Sequence, residues 1–427
     1  MPTAAGPSRL VRLGSTAGGG VGEADGARHD RSATSPDRAR SGRYHEPVPV
    51  YLDHAATTPV APEAAAAMLP WLTERFGNPS GSHAVARAAR TAVERAREDV
   101  AGVLGLDPGG VVFTGGGTEA DNLAVRGVGG QRRLDGLDGG VVVTTAVEHH
   151  AVLAAAERTG AVREVPVDRD AVVDLDALDA ALGPDVAVVS VMLVNNEVGT
   201  VQPLHDIVDL VRRRAPRAVV HTDACQALRW VDVREAAVGA DLISLSAHKF
   251  GGPQGVGVLA GRNGLRIRRL VEGGGQERER RPGTHNVAGI VGAAAAAVAT
   301  ERHRPAFLPA VAARRDRLVA GVLAAVDGAE VLGAGAERGA GFALLCFEGV
   351  ESESLLILLD DAGVAASAGS ACASGALEAS HVLLAMGVPE TRALGSLRLT
   401  LAPSTTDADV DAVLDCLPAA VDRLRGS

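Results

Sequence analysis

Residues 218–250 read AVVHTDACQALRWVDVREAAVGADLISLSAHKF, and this stretch predicts two buried parallel strands with a connection between them. The apolar runs AVVHTDA (218–224) and DLISLSA (241–247) each have the length of a strand. Near-continuous apolar strands that alternate with helices are typical of a parallel sheet covered on both faces. Both runs end in polar residues, and ligands of such sheets bind at the carboxyl ends of the strands.

The same pattern extends along the chain in five further runs that are short and rich in β-branched residues. They are VVF (111–113), VVVTT (141–145), VREVPV (162–167), VAVVSVML (186–193) and VGVLA (256–260). Together the runs predict an α/β fold with a mostly parallel seven-stranded sheet. Polar residues cluster at the strand ends, at 114–118, 148–150, 195–197, 223–226 and 246–249. We therefore expect one shared site at the carboxyl edge of the sheet.

The chain divides into three regions by composition. Residues 1–48 are rich in Gly, Ser, Ala, Pro and Arg without a hydrophobic period, which predicts a disordered extension. A transit peptide is the alternative, but acidic residues from Glu23 onward and the absence of an apolar face argue against it. We expect a large domain over 67–299 and a smaller α+β domain from 49–66 and 300–427, where helices lengthen and strands become fewer.

Composition excludes several classes of protein. A net charge of -10 and an isoelectric point near 5.7 argue against nucleic acid or an anionic membrane as the main partner. The four cysteines are far apart and form no C-x-x-C pair, which favours free thiols in a reducing cytoplasm and no structural metal. The alanine-rich run at 287–300 is too short and too weakly apolar to cross a bilayer, so it predicts a packed helix.

Lys249 is the only lysine of the chain, since the other 41 basic side chains are arginine. A single lysine on a surface normally serves solubility. Arginine, however, can supply a positive charge but cannot lose its proton and form an imine, whereas a desolvated lysine can. The exception therefore indicates an imine with an aldehyde cofactor, although a structural role stays open.

A cofactor of the pyridoxal phosphate type needs further groups, and the strand ends supply them. In FTGGGTEADN (113–122), three glycines let the backbone approach a phosphate, and Thr118 is predicted as the N-cap of the next helix. In HTDACQ (221–226), Asp223 can hold the proton of the pyridine nitrogen and Gln226 can reach the phenolic oxygen. His149 offers a flat ring for stacking. Each signal is weak alone, and the set is much stronger.

The chain resembles the pyridoxal-phosphate-dependent cysteine desulfurases of the class-V aminotransferase family, and within them the group that serves iron–sulfur cluster assembly. The resemblance covers residues 49–420 in order. The motifs that carry it are YLDHAATTPV, GNPSGSH, FTGGGTEADN, EHHAVL, VNNEVGTVQP, HTDACQ, SLSAHKFGGPQGVG, GGGQERERRPGTHNV, SAGSACASG and SLRLTL. It implies the fold of the aspartate-aminotransferase-like enzymes, with pyridoxal 5'-phosphate bound in the large domain.

The resemblance also implies roles for individual residues. Lys249 would bind the cofactor covalently, and His149 would stack on its ring and shuttle protons as a catalytic residue. Asp223 would pair with the ring nitrogen and Gln226 with the phenolic oxygen. The phosphate would be held by Gly117, Thr118, Ser246 and His248, and by Thr284 from a partner subunit, which implies a homodimer. Asn196 would contact cofactor and substrate, and Arg398 would bind the substrate carboxylate through its planar guanidinium.

Cys372 separates a desulfurase from its relatives. It lies in SAGSACASG (367–375), whose small residues predict a mobile loop. A lone cysteine is usually a small buried hydrophobe, but these flanks offer nothing large to pack against. The resemblance implies that L-cysteine becomes L-alanine while Cys372 takes the sulfur as a persulfide and passes it to an acceptor such as an iron–sulfur scaffold protein. An aminotransferase, a selenocysteine lyase and a non-catalytic sulfur carrier are the alternatives.

Overall fold

The computed structural model describes residues 50–134, 140–369 and 379–426. Its strands are β1 (Val50–Tyr51), β2 (Val112–Thr114), β3 (Val141–Thr145), β4 (Val162–Val165), β5 (Val186–Ser190), β6 (Val219–Asp223), β7 (Leu242–Ser246), β8 (Gly257–Gly261), β9 (Ala329–Leu332), β10 (Phe342–Phe347), β11 (Val364–Ala365) and β12 (Ser396–Thr400). Its helices are α1 (Pro62–Thr73), α2 (Ala84–Leu104), α3 (Gly117–Asn122), α4 (Val128–Leu134), α5 (His150–Glu157), α6 (Leu175–Ala181), α7 (Leu204–Arg214), α8 (Val233–Ala236), α9 (Val287–Ala325), α10 (Ser352–Asp361), α11 (His381–Ala385), α12 (Glu390–Ala393) and α13 (Asp407–Arg425).

The large sheet contains seven strands in the order β2-β8-β7-β6-β5-β3-β4. The pairs from β7 to β4 are parallel, and β8 runs antiparallel to both of its neighbours. Every residue of β5, β6 and β7 is buried, as expected for strands that are covered on both faces. The seven apolar runs therefore form the predicted sheet, and the fold class is confirmed.

Two smaller sheets contain the first and the last strand of the described chain, β1 and β12. β10 pairs antiparallel with β9 and β12, and the two-residue β1 pairs in parallel with β11. Residues near 50 thus join a segment more than 300 positions away. α9 passes through the predicted boundary at 299–300 without a break, so the proposed division into two domains stays a prediction.

The alanine-rich run forms the first part of α9, a helix of 39 residues. Small side chains let other helices approach it closely: at Gly292, an added Cβ would lie only 2.4 Å from Met68 Cγ on α1. Asn286 caps the helix, because its side chain accepts a hydrogen bond from Gly289 N at 3.0 Å. The predicted packed helix is confirmed. Within the described ranges, no helix is both long and apolar enough to cross a membrane.

Candidate active site

A cavity of about 990 Å³ lies at the carboxyl edge of the large sheet. Its walls come from the loops after β2, β3, β5, β6 and β7, which parallel strand directions bring to one edge. The predicted site residues that line it are Gly117, Thr118, His149, Asn196, Asp223, Gln226, Ser246, His248, Lys249 and Arg398. Thr284 is exposed and is not part of this wall. Cys372 lies outside the described residues.

Lys249 closes the short helical turn 247–249 directly after β7. Its Nζ donates hydrogen bonds to the carbonyl oxygens of Ala55 at 2.5 Å and Ala56 at 2.9 Å. The side chain is only partly exposed and faces the cavity. The backbone of the segment 55–56 therefore fixes the position of the amine.

The glycine turn lies between β2 and α3. Gly116 has a φ of 156°, and Gly117 leaves no room for a side chain, because a Cβ there would lie 2.5 Å from Cys225 Sγ. The prediction that Thr118 is the N-cap is wrong: α3 begins at Gly117, its N-cap is Gly116, and Thr118 lies in the first turn. The freedom of glycine to adopt this φ lets the helix start earlier than a threonine cap would allow. The residues of the turn, 115–118, still line the cavity.

Asp223 and His149 face the cavity from the carboxyl ends of β6 and β3, the strands on either side of β5. Asp223 is buried at the end of β6, and its Oδ1 accepts a hydrogen bond from Cys225 N at 2.8 Å. His149 caps α5, because its Nδ1 accepts from Ala151 N at 3.1 Å. Burial lowers the pKa of His149 and Lys249 adds to the shift, while Asp223 opposes it. His149 is thus a neutral, oriented ring at neutral pH.

The segment 55–58 connects two further predicted residues to the cavity. Gln226 Nε2 donates to the Ala55 carbonyl at 2.7 Å, and His248 Nδ1 lies 3.1 Å from Thr57 Oγ1. Burial lowers the pKa of His248 to about 4, so this imidazole is neutral as well. The loop after β1 therefore forms one wall of the site.

Arg398 reaches the cavity from β12 in the small antiparallel sheet. Its Nη1 donates to the Asn196 carbonyl at 3.0 Å and its Nη2 to Asp53 Oδ1 at 2.8 Å. Among the described residues, neither Arg398 Nε nor Asn196 Oδ1 has a hydrogen-bond partner, although both atoms are buried. Buried polar atoms are normally paired, so this corner of the cavity is suited to a polar ligand.

Several acidic residues around the site were not predicted to be functional from the sequence. Glu148 Oε1 accepts hydrogen bonds from Met192 N at 2.6 Å and Thr145 Oγ1 at 3.2 Å, and burial raises its pKa well above the usual value. Burial also raises the pKa of Glu197 to about 7, and Ser380 Oγ donates to Glu197 Oε2 at 2.5 Å. Asp53 and Asp121 complete the set. Each of these acids lies in a motif that carries the family resemblance, and the acidic residue inside the motif was the signal that could have indicated it.

The cavity fits pyridoxal 5'-phosphate. A backbone turn in which Gly117 leaves no room for a Cβ suits a phosphate, and the carboxylate of Asp223 suits a protonated ring nitrogen. Lys249 supplies an amine for the aldehyde, and the unpaired Arg398 and Asn196 atoms suit the polar end of a substrate. These individual roles stay predictions.

Comparison with known proteins agrees with this description. The aminotransferase class-V family model matches residues 50–413. A cysteine desulfurase of Cereibacter sphaeroides is 45% identical over 384 residues, 88% of this chain and 96% of that protein. An IscS-like cysteine desulfurase of Mycobacterium tuberculosis is also 45% identical over 384 residues, with 88% and 97% covered.

Solved structures show the same likeness. A NifS-like protein superposes with a TM-score of 0.81 at 33% identity, covering 88% of this chain and 100% of that one. SspA in complex with cysteine gives a TM-score of 0.72 at 30% identity, covering 83% and 99%. Fold and site together define a pyridoxal-phosphate-dependent enzyme. The chain belongs to the class-V aminotransferase family, and the curated relatives named above are cysteine desulfurases.

Proposed function

We propose that the protein is a cysteine desulfurase that converts L-cysteine to L-alanine and keeps the sulfur as a persulfide on Cys372. The observation that carries the proposal is the convergence of Lys249, Asp223, His149 and Arg398 on one cavity. The 45% identity to cysteine desulfurases over 88% of the chain supports it.

The cofactor would be held by Lys249 at its aldehyde, by Asp223 at its ring nitrogen and by the turn at Gly117 and Thr118 at its phosphate. Bound there, pyridoxal phosphate acts as an electron sink for a carbanion at the substrate Cα. Lys249 would remove the Cα proton once the substrate amine has taken its place at the aldehyde, and the 55–56 carbonyls hold the amine at the cavity wall. His149 would stack on the ring as a neutral imidazole.

The substrate carboxylate would bind to Arg398. A guanidinium suits a carboxylate because its N–H groups form a planar fork. The Nη atoms are engaged by Asn196 and Asp53, so the buried Nε is the atom without a partner among the described residues. Asn196, which lines the cavity and whose Oδ1 is equally unpaired among those residues, would contact cofactor and substrate.

Sulfur transfer would use Cys372. Its thiolate attacks the sulfur of the substrate, the substrate Cβ–Sγ bond breaks and a new S–S bond forms on Cys372. The substrate Cβ keeps the electron pair of the broken bond and takes up a proton. L-Cysteine plus the Cys372 thiol thus gives L-alanine plus a persulfide. The persulfide would pass to a thiol acceptor, such as an iron–sulfur scaffold protein in the cytoplasm. Thr284, exposed outside the cavity wall, would reach the phosphate site of a second subunit in a homodimer.

The test supplies L-cysteine and a thiol reductant and measures alanine and sulfide. We expect stoichiometric release by the wild type and none by Cys372→Ser, whereas Cys416→Ser serves as a matched control with normal turnover. Amino transfer to a keto acid that survives Cys372→Ser would make the protein an aminotransferase. Activity confined to L-selenocysteine would make it a selenocysteine lyase. Persulfide loading without turnover would indicate a sulfur carrier.

A further inference from the structure

A second aspartate lies beside Asp223, in the first turns after the glycine loop. Asp121 is 1% exposed and lines the same cavity. Its carboxylate, the Asp223 carboxylate and Cys225 Sγ all lie within 4.8 Å of one another. The proposed function uses Asp223 for the ring nitrogen and gives Asp121 no task.

The groups that the Asp121 carboxylate contacts or approaches include the acidic Asp223, the thiol of Cys225 and the hydroxyl of Ser244. One oxygen, Oδ1, has no hydrogen-bond partner within the described parts of the chain, although the atom is buried. Buried carboxylates close together do not all ionise, because each charge repels the next and burial removes the solvation of both. Burial raises the pKa of Asp121 well above its usual value, and the charge of Asp223 raises it further. A hydrogen bond from Ser244 lowers this pKa, whereas the charge of Glu148 raises it.

His221 is the nearest group that could form an ion pair with Asp121, and it is neutral. Its Nε2 lies 3.7 Å from Asp121 Oδ1, beyond hydrogen-bond distance. The two ring nitrogens instead contact hydroxyls, Nδ1 with Ser190 Oγ at 2.8 Å and Nε2 with Ser244 Oγ at 2.9 Å. Burial lowers the pKa of His221 to about 4.

We propose that Asp121 is a positioning residue of the cofactor site: it stays a neutral carboxylic acid beside Asp223, so that Asp223 alone of the pair carries negative charge towards the bound ring. Removing the proton from Asp121 would add a second charge next to Asp223 and alter the electronic state of the ring. The inference rests on the proposed function. The titratable groups that surround the pair are His221, Cys225, Glu148, His149 and Lys249.

The test uses the full-length, cofactor-loaded protein labelled with carboxyl-¹³C aspartate. The isotope separates aspartic acid from the buried Glu148 in the infrared carbonyl region. We expect the wild type to show a protonated aspartic acid band at neutral pH that disappears on raising the pH, with a change in visible cofactor absorbance at the same pH. Asp121→Asn, a near-isosteric neutral variant, should lack both the band and that visible transition.

Asp179→Asn is the matched control, because Asp179 lies on the surface in an ion pair with Arg214 that lowers its pKa. It should keep both signals. The absence of a protonated aspartic acid band in the wild type would overturn the inference, and that measurement needs no variant to fold. Persistence of the band, or of the visible transition at the same pH, in Asp121→Asn would overturn it too. Failure of the proposed function would appear separately, as a missing covalent label on Lys249.

Discussion

Asp53 and Arg398 form an ion pair with Asp53 Oδ1 2.8 Å from Arg398 Nη2, although 345 positions separate them in the chain. The guanidinium side chain is 4% exposed and the carboxylate side chain 19%. The pair joins the loop after β1 to β12, where Asp53 also forms a bridge with Thr400. Asp53 therefore fixes the orientation of the residue that we propose for substrate binding.

Asp53→Asn should raise KM for L-cysteine more than it lowers kcat, because it removes the charge that orients Arg398. A hydrogen bond to a charged group contributes about 1.5–3 kcal/mol, which corresponds to roughly a tenfold to hundredfold change in KM. Glu330→Gln removes the carboxylate of the exposed Arg392 pair and should leave KM unchanged. A KM within twofold of the wild type for Asp53→Asn would contradict the orienting role.

Lys249→Arg should bind pyridoxal phosphate without a covalent link. The guanidinium keeps the positive charge and can donate hydrogen bonds to the Ala55 and Ala56 carbonyls, but it cannot condense with an aldehyde. The measurement is borohydride reduction followed by peptide mapping: the wild type should carry the label at position 249 and the variant none. A wild-type protein left unlabelled there would remove the basis of the mechanism.

The local parts of the fold were predictable from sequence, and the distant contacts were not. The apolar runs of the large sheet are short and rich in β-branched residues, and this length and composition indicate strands. The pairing of β1 with β11 involves two residues per strand. It joins segments more than 300 positions apart, and no local pattern encodes such a contact.

The residues of the site divide in the same way, into local features that were predictable and distant contacts that were not. Lys249, Asp223 and His149 follow strands directly, so their place at the sheet edge is predictable. The partnership of Arg398 with Asp53 is set by how the small sheet packs, and the sequence does not indicate it. Thr118 was misplaced as a cap because the backbone freedom of the preceding glycines moved the helix start.

Gly257→Ala should weaken cofactor binding. Gly257 on β8 lies directly under the glycine turn, and an added Cβ would lie 2.3 Å from the Gly116 carbonyl carbon and 2.4 Å from its oxygen. The turn must move to accept the methyl group, and a displaced turn loses N–H contacts with a phosphate. We expect the Kd for pyridoxal phosphate to rise about tenfold or more, the equivalent of one hydrogen bond to a charged group.

The measurement is fluorescence titration of the apoprotein with the cofactor. Gly102→Ala on α2 is the control, because nothing lies within 4 Å of its added Cβ, and it should bind normally. Normal affinity in Gly257→Ala would mean that the turn does not hold the phosphate.

Glu277→Gln should destabilise the fold. Glu277 accepts two hydrogen bonds from Arg97, both at 2.8 Å, and one from Phe113 N at 2.8 Å, and its side chain is 2% exposed. Removing one partner of such a buried pair costs about 3–5 kcal/mol because the remaining charge stays buried. Glu94→Gln, which removes an exposed partner of the same arginine, should cost under about 1 kcal/mol. Urea unfolding at pH 7 compares the two variants.

The Glu277 carboxylate should also make the free energy of unfolding depend on pH. Hydrogen bonds from Arg97 and His285 outweigh burial and lower the pKa of Glu277 from 4.5 to about 2. The stabilisation is therefore fully present above pH 4.5 and is lost as the pH falls towards 2, a difference of about 3 kcal/mol. Between those limits, the free energy of unfolding of the wild type should fall relative to that of Glu277→Gln. Parallel pH profiles for the two proteins would contradict the assignment.

Glu279→Gly should stabilise the protein. Glu277, Arg278 and Glu279 all have positive φ, at 48°, 55° and 64°, and this region is unfavourable for side chains with a Cβ. Glu279 is exposed, so glycine removes the steric cost without removing a buried contact. The relief of about 1–2 kcal/mol exceeds the entropy that glycine adds to the unfolded chain, which leaves a net gain of roughly 0.5–1 kcal/mol.

Thermal and urea unfolding measure that gain, and Glu279→Ala is the matched control. Alanine removes the same carboxylate but keeps the Cβ, so its stability should stay within about 0.5 kcal/mol of the wild type. If Gly and Ala stabilise equally, the effect comes from the lost charge, since the like charge of Glu277 lies two positions before residue 279 in the chain. If glycine destabilises, the left-handed turn is held without strain and the backbone cost at this position is absent.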